Sequence, residues 1–358
     1  MSPVPLRAAV VGCGRMGARP GGGAHAASMP PGWVPLSHAE AIRATEGLDL
    51  VGVCDVDPAA AAAAGDRWGV AVRHTDFRAL VRETAPDILS VATRTPGRAD
   101  IVTFAARNGV RALHVEKPFA NNLAECDAAL AAVRDAGAFM TYGTTRRFMA
   151  AYRQAKRMID DGEIGTVEHI AVDHGRTLIM WNHAHSVDLL LYFAGSTEIE
   201  FVQGFCTLAS ASVAGLKVDA DPILESGYVR FASGVNGVVT SAGGLDTRVA
   251  GSGGTLTVSA DGRTIEVRKN IGVQRAYHLD HIILTPHVER SGTVQAFTEL
   301  RDALVTGAPT SISLDEIRSG LAVLFGFVRS SLDAGRRLPL ADVEPAFTVT
   351  GRSGKLVA

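Results

Sequence analysis

Glu116-Lys117-Pro118 follows a short apolar run, Ala112-Leu113-His114-Val115, and carries the clearest chemical content in the sequence. Proline keeps the residue before it out of the helical region, so Lys117 is held in a fixed turn at a strand tip. A lysine so placed beside a cofactor hydrogen-bonds the oxygen of an alcohol or carbonyl. Its charge stabilises the alkoxide character that hydride transfer leaves on that oxygen. By composition alone a lone lysine is more often a solvated surface charge, so its neighbours decide.

Those neighbours read as further strand ends. Ala8-Ala9-Val10-Val11 runs into Gly12-Cys13-Gly14-Arg15-Met16-Gly17, a GxGxxG turn directly after a strand. Gly12 permits the tight turn, Gly14 lets a pyrophosphate approach the backbone, and Gly17 allows the next helix to pack closely on the strand. Amides at the start of that helix, around Arg15 and Met16, favour phosphate. A second β run, Leu48 to Cys54, is closed by Asp55. An acidic residue there bonds the adenosine ribose and repels a 2′-phosphate, which favours NAD over NADP. The alternative for Asp55 is a cap on the helix that begins after Pro58. Thr93-Arg94-Thr95-Pro96 and Glu116-Lys117-Pro118 also fall at strand ends, where the nicotinamide should lie.

The strands and helices that must position these residues alternate through the first 143 residues, the pattern of a doubly wound parallel sheet. The gap between the glycine turn and Asp55 exceeds the usual twenty or so residues. The surplus, Arg19 to Leu36, is rich in Gly and Pro and resolves into Ser37-His38-Ala39-Glu40, a capping box. It reads as an inserted loop: a lid, a subunit contact or a neutral surface insertion. After Tyr142 short alternating runs replace the βα rhythm. Late helices come at Val294 to Thr306 and Asp315 to Ala334.

The bulk numbers agree. At 358 residues the chain fits two domains, 1–143 and 144–358. A formal charge of −2 without a basic run gives no reason to expect nucleic acid or an anionic membrane. Cys13, Cys54, Cys126 and Cys206 have no ligand spacing and read as small buried hydrophobes, so no metal is expected. Met1 to Ala8 lacks a signal pattern, and the expected location is cytoplasmic.

The GCGRMG turn, VCDVDP, VATRTP and above all HVEKPFA, succeeded in order by YGTTRRFMAAY and DDGEIGTVEHI, resemble the glucose–fructose oxidoreductase / inositol dehydrogenase / rhizopine-catabolism family. The closing segment from Ala296 to Leu340 is similar as well. The resemblance implies an α/β protein: an N-terminal NAD-binding Rossmann domain, then a C-terminal α/β domain with a large, mostly antiparallel open sheet. It further implies a homodimer or homotetramer formed through that sheet, and a sugar or cyclitol substrate. Lys117 then assists proton movement on the reacting hydroxyl. His185 and Asp188 match the family's second catalytic segment, with histidine suited to acid/base work. Arg147, His174, Trp181 and Asn182 are the further candidates for binding substrate. Two positions depart from the family: Trp181 stands where many members have Asp, and Asp100 where many have His. Trp181 could instead stack on a sugar ring. His183 is an additional candidate, and His278, Asp280 and His281 fall on a segment that reads as a surface turn. Two other functions stay open, a reductase or epimerase that recycles bound NAD and a cofactor-binding regulator without turnover.

Overall fold

The computed structural model describes residues 4–21, 29–270 and 279–351. They form two compact units. The first takes the described residues up to Met29, then Trp33–Phe148 and Arg290–Leu314. The second takes Pro30–Gly32, Met149–Glu289 and the chain from Asp315 onward. The sequence boundary at 143 lies close to the break at Phe148. The expectation of one uninterrupted C-terminal domain does not hold, because residues 290–314 return to the first unit.

In the first unit, β1 (Leu6–Val11), α1 (His38–Ala44), β2 (Leu48–Cys54), α2 (Pro58–Trp68), β3 (Val72–His74), α3 (Phe77–Thr84), β4 (Ile88–Val91), α4 (Arg98–Arg107), β5 (Ala112–Val115), α5 (Leu123–Asp135) and β6 (Phe139–Tyr142) come in turn. The sheet order is β3-β2-β1-β4-β5-β6, parallel throughout. The order reverses between β1 and β4, and ligands of such sheets bind at the carboxyl ends of the strands beside that switch. Strands covered on both faces need continuous apolar sequence, and β4 and β5 are buried at every residue. The returning helix Gly292–Thr306 explains why this unit needs residues from far along the chain. Its Val294, Phe297 and Leu300 complete the core built by Val10, Ile42, Val53 and Ile88.

In the second unit, ten strands among the described residues form one sheet. Its spatial order runs Leu279–Leu284, Thr264–Asn270, Gly254–Ser259, Asp246–Gly251, Val167–Asp173, Asn236–Thr240, Ile223–Phe231, Ile199–Thr207 and Leu338–Pro339, with Thr177–Leu178 paired to Ile223–Phe231. All pairs are antiparallel except Asn236–Thr240 with Val167–Asp173, as the resemblance implies. The segment read as a surface turn is instead an edge strand, in which His281 Nε2 lies 2.6 Å from Glu266 Oε1 on the neighbouring strand. His278 is outside the described residues. Among the described residues no helix is long and apolar enough to cross a membrane.

Candidate active site

The glycine turn is as tight as the fingerprint demands. Gly12 has φ +96°, and a Cβ there would stand 2.7 Å from the Ala92 carbonyl carbon. A Cβ on Gly17 would stand 1.6 Å from the Gly12 carbonyl oxygen. Among the described residues, and beyond its own chain neighbours, Gly14 has no atom within 4 Å of its would-be Cβ, and both it and Arg15 are exposed. The turn therefore leaves open space above Gly14 and none at Gly12 or Gly17, the shape a dinucleotide pyrophosphate needs.

The long gap after this turn is a splice within one hydrogen-bond ladder. The Ala18 amide donates to the Gly14 carbonyl, and the carbonyls of Met16 and Gly17 then accept the amides of His38 (2.7 Å) and Ala39 (2.9 Å). Helix α1 thus continues the turn across the insertion. Its capping box is formed as expected, Ser37 accepting from the Glu40 amide while Glu40 accepts from that of Ser37. Of the described flanks of the insertion, residues 19–21 and 33–36 stay on this unit, while Pro30–Gly32 falls to the second. The Gly21 amide donates to Glu40 (2.8 Å), Ser291 donates to the Pro35 carbonyl (2.7 Å), and Arg146 lies over the Trp33 ring. Residues 22–28 of the expected loop lie outside the described residues.

Asp55, half-buried, accepts the Cys13 amide through Oδ2 (2.7 Å) and the Asp57 amide through Oδ1 (3.0 Å). The cap of α2 is Asp57, whose carboxylate accepts from Ala59. Asp55 therefore ties the second strand to the glycine turn and does not cap the helix. Each of its oxygens keeps a lone pair for a further donor. At the switch, Thr93 Oγ1 is buried with no partner among the described residues, as is Thr144 Oγ1 just past β6. Buried hydroxyls want partners, so the glycine cradle, Asp55 and these two hydroxyls together fit NAD. Thr95 is half-buried and Pro96 exposed in the same strand-end loop.

Lys117 is half-buried at the end of β5, with a cis bond to Pro118. Glu116, behind it, is buried, and its Oε2 accepts the Lys117 amide (3.1 Å). Burial alone would raise this carboxyl. The hydrogen bond and electrostatic pull of His38, then the charges of Lys117 and Arg98, outweigh burial and hold it at about 2. Arg98 is lowered to about 10 by burial, against the pull of Glu116. Its guanidinium donates to the carbonyls of Glu116 (2.6 Å), Pro118 and Thr93, pinning the two strand ends together.

Because the Glu116 carboxyl falls from 4.5 to about 2 on folding, it favours the folded state above the unfolded value, by about 3 kcal/mol at neutral pH. That contribution is lost as pH falls from 4.5 towards 2. Glu116→Gln should therefore show a smaller fall in urea midpoint than the unmutated protein between about pH 6 and pH 3. An identical slope in both proteins would show that Glu116 does not carry the acid sensitivity.

Asp100 takes no part in this site. It is exposed on α4 and pairs with Arg78 of α3 at 2.7 Å, a surface pair of small energetic weight. Arg147 is completely buried and donates to the Ser311 carbonyl (2.7 Å), which anchors the returning chain. That burial speaks against the substrate contact expected of it. Cys13, Cys54 and Cys126 are buried as expected, whereas Cys206 is only half-buried; desolvation pushes the thiols of Cys13, Cys54 and Cys206 up to about 12.

In the second unit, His185 and Asp188 are both buried in the first turns of the helix His183–Ala194. His183, only an additional candidate by sequence, sits at the centre of a polar chain. Thr177 Oγ1 lies 3.0 Å from His183 Nε2, His183 Nδ1 3.0 Å from Ser186 Oγ, and Ser186 Oγ 3.2 Å from His174 Nδ1. Trp181 is half-buried and Asn182 exposed at the mouth of the helix. Among the described residues no three His, Cys, Asp or Glu side chains gather as a metal would need. The residue that sequence reasoning missed is His38, fully buried against Glu116. Its signal was a histidine at the first position of a capped helix whose neighbours face the core.

Comparison with known proteins agrees with this geometry. Residues 6–144 match the model of an oxidoreductase family with an NAD-binding Rossmann fold. D-apiose dehydrogenase of Paraburkholderia graminis is 33% identical over 135 residues, 38% of this chain and 36% of that protein. The match thus spans about a third of that relative. scyllo-Inositol 2-dehydrogenase (NAD(+)) of Bacillus subtilis is 26% identical over 351 residues, 89% of this chain and 96% of that one. The structure of an NAD binding oxidoreductase from Klebsiella pneumoniae superposes with a TM-score of 0.76 at 17% identity, covering 94% of this chain and 99% of its own. At that identity the superposition bears on the fold alone.

Proposed function

We propose that this chain, whose residues 6–144 match an oxidoreductase family with an NAD-binding Rossmann fold and which is similar along most of its length to an inositol dehydrogenase, moves hydride between NAD and a secondary alcohol or ketone of a sugar, cyclitol or related polyol. The observation that carries this reading is Lys117 at a strand end of the nucleotide-binding sheet, backed by the buried, ionised Glu116. The two curated relatives act, by their names, on D-apiose and scyllo-inositol, both densely hydroxylated.

NAD, when bound, supplies the hydride acceptor for oxidation and, reduced, the donor for the reverse. Everything else falls to side chains of this chain. Lys117 hydrogen-bonds the reacting oxygen, takes its proton on oxidation and returns it on reduction, with its charge stabilising the alkoxide between. His185 acts as the acid/base partner, and Asp188, three residues on along the same helix, orients its ring. Trp181, Asn182 and His174 bind the substrate, with the Trp181 ring offering a face for the C–H side of a sugar.

The test is absorbance at the reduced-nicotinamide band, with purified protein and NAD against sugars, sugar acids, cyclitols and amino sugars. A rise with one class establishes the reaction and names the substrate class. No rise with any class, where NAD binding is shown separately, would defeat release-and-rebind dehydrogenation and turn attention to internally recycled NAD or a regulator.

A further inference from the structure

Beneath Lys117 lies a buried polar cluster that the proposed chemistry does not itself use. His38, on α1, is fully buried, with Nδ1 2.6 Å from Ser90 Oγ on β4 and Nε2 3.2 Å from Glu116 Oε1. The other oxygen of Glu116 holds the Lys117 amide. The His38 ring meets His114 of β5 edge-on at 4.6 Å and Phe297 of the returning helix at 5.9 Å. Arg98 of α4 holds the Glu116 carbonyl, Thr141 of β6 bonds His114, and Tyr142 adds its influence on Arg98. Gly143 leaves room for the carboxylate, since a Cβ there would stand 2.9 Å from Oε2.

The chemistry of these groups is constrained. An ionised carboxylate only accepts, so His38 Nε2 must carry its hydrogen, and Nδ1 is left to the Ser90 hydroxyl. Burial and the neighbouring His38 hold His114 well below the usual histidine range, despite Glu116, so it adds no competing positive charge near neutrality. One donor on each oxygen therefore fixes the Glu116 carboxylate in a single orientation. His38 is also the residue whose amide continues the ladder from the glycine turn.

We propose that His38 and Glu116 are positioning residues for Lys117. His38 locks the carboxylate, the carboxylate locks the backbone amide of Lys117 and biases its proton, and the same histidine links the dinucleotide cradle to the lysine-bearing strand end. This deepens the dehydrogenase reading and rests on it for the role of Lys117. The physical claim about the lysine is separable from that reading.

The experiment is acetylation of Lys117 in the full chain by acetic anhydride as a function of pH, read by mass spectrometry on the Lys117 peptide. Glu116→Gln removes the anion and should lower the midpoint of Lys117 reactivity by about one pH unit. His38→Leu releases the carboxylate from its anchor and should lower the midpoint by about half a unit or more. His38→Gln keeps one N–H donor and should restore most of it. On an accepted substrate, His38→Leu should lower kcat about tenfold with KM for NAD moved less than about twofold. A purely structural pair predicts wild-type midpoints in every variant that keeps the wild-type melting temperature, and that result overturns the proposal. If His38→Leu does not fold, an unshifted Glu116→Gln midpoint is enough to overturn it. Shifted midpoints with no substrate turned over would uphold the positioning and sink the dehydrogenase reading instead.

Discussion

Lys117→Met lowers kcat by about 10²- to 10⁴-fold and leaves NAD affinity within about twofold, the span expected when one acid/base group is lost. Methionine keeps an unbranched stem of similar volume in the half-buried position and removes only the ammonium. Glu116 is not orphaned by the change. Its Oε1 still faces His38 Nε2, its Oε2 still accepts the backbone amide at position 117, and Arg98 still holds its carbonyl. The glycine turn and Asp55 lie on β1 and β2, across the sheet from β5, so the dinucleotide cradle is untouched. Steady-state kinetics on whichever substrate the nicotinamide assay accepts, beside calorimetric titration of NAD, checks both halves. A variant within about tenfold of wild-type kcat would remove Lys117 from the proton path.

The glycine turn offers the second large effect, because two of its glycines should fail in different ways. Gly17→Ala drives a Cβ to 1.6 Å from the Gly12 carbonyl oxygen, a distance no real contact allows, so the turn must open. Opening it displaces Gly12 from the Ala92–Thr93 peptide and strains the bonds by which α1 continues the turn. The expected cost is about 1–3 kcal/mol or more of stability, with NAD binding lost alongside. Gly14→Ala meets no atom of the described residues beyond its chain neighbours within 4 Å, so the melting temperature should stay near wild type. Its methyl group occupies the space left for the pyrophosphate, and NAD affinity should fall about tenfold or more. Thermal unfolding with and without NAD separates the two. Unchanged NAD affinity in Gly14→Ala would mean that the dinucleotide does not cross the turn there.

Much of the first unit was legible because its signals are local. A GxGxxG turn, a capping box over four residues and an acidic strand tip are each written within a few positions, and hydrogen bonds within a few residues realise them. The short strands Val72–His74 and Asp246–Gly251 were missed. Three residues carry little periodicity, and Asp246–Gly251 buries only Thr247 and Val249, so its pairing with Val167–Asp173 and Gly254–Ser259 makes it a strand more than its own pattern does.

Sequence by itself determined the parallel βα rhythm, the dinucleotide turn with Asp55, the lysine at a strand end and the family that these residues resemble. Tertiary structure alone decided that residues 290–314 close the core of the first unit. It also decided that Arg147 is an anchor, that Asp100 is a surface pair, and that His38 meets Glu116 across 78 positions. A buried histidine announces that it needs a partner, but which partner depends on strand order. That order is settled by which apolar faces can be buried together over the whole chain, a property no local window contains.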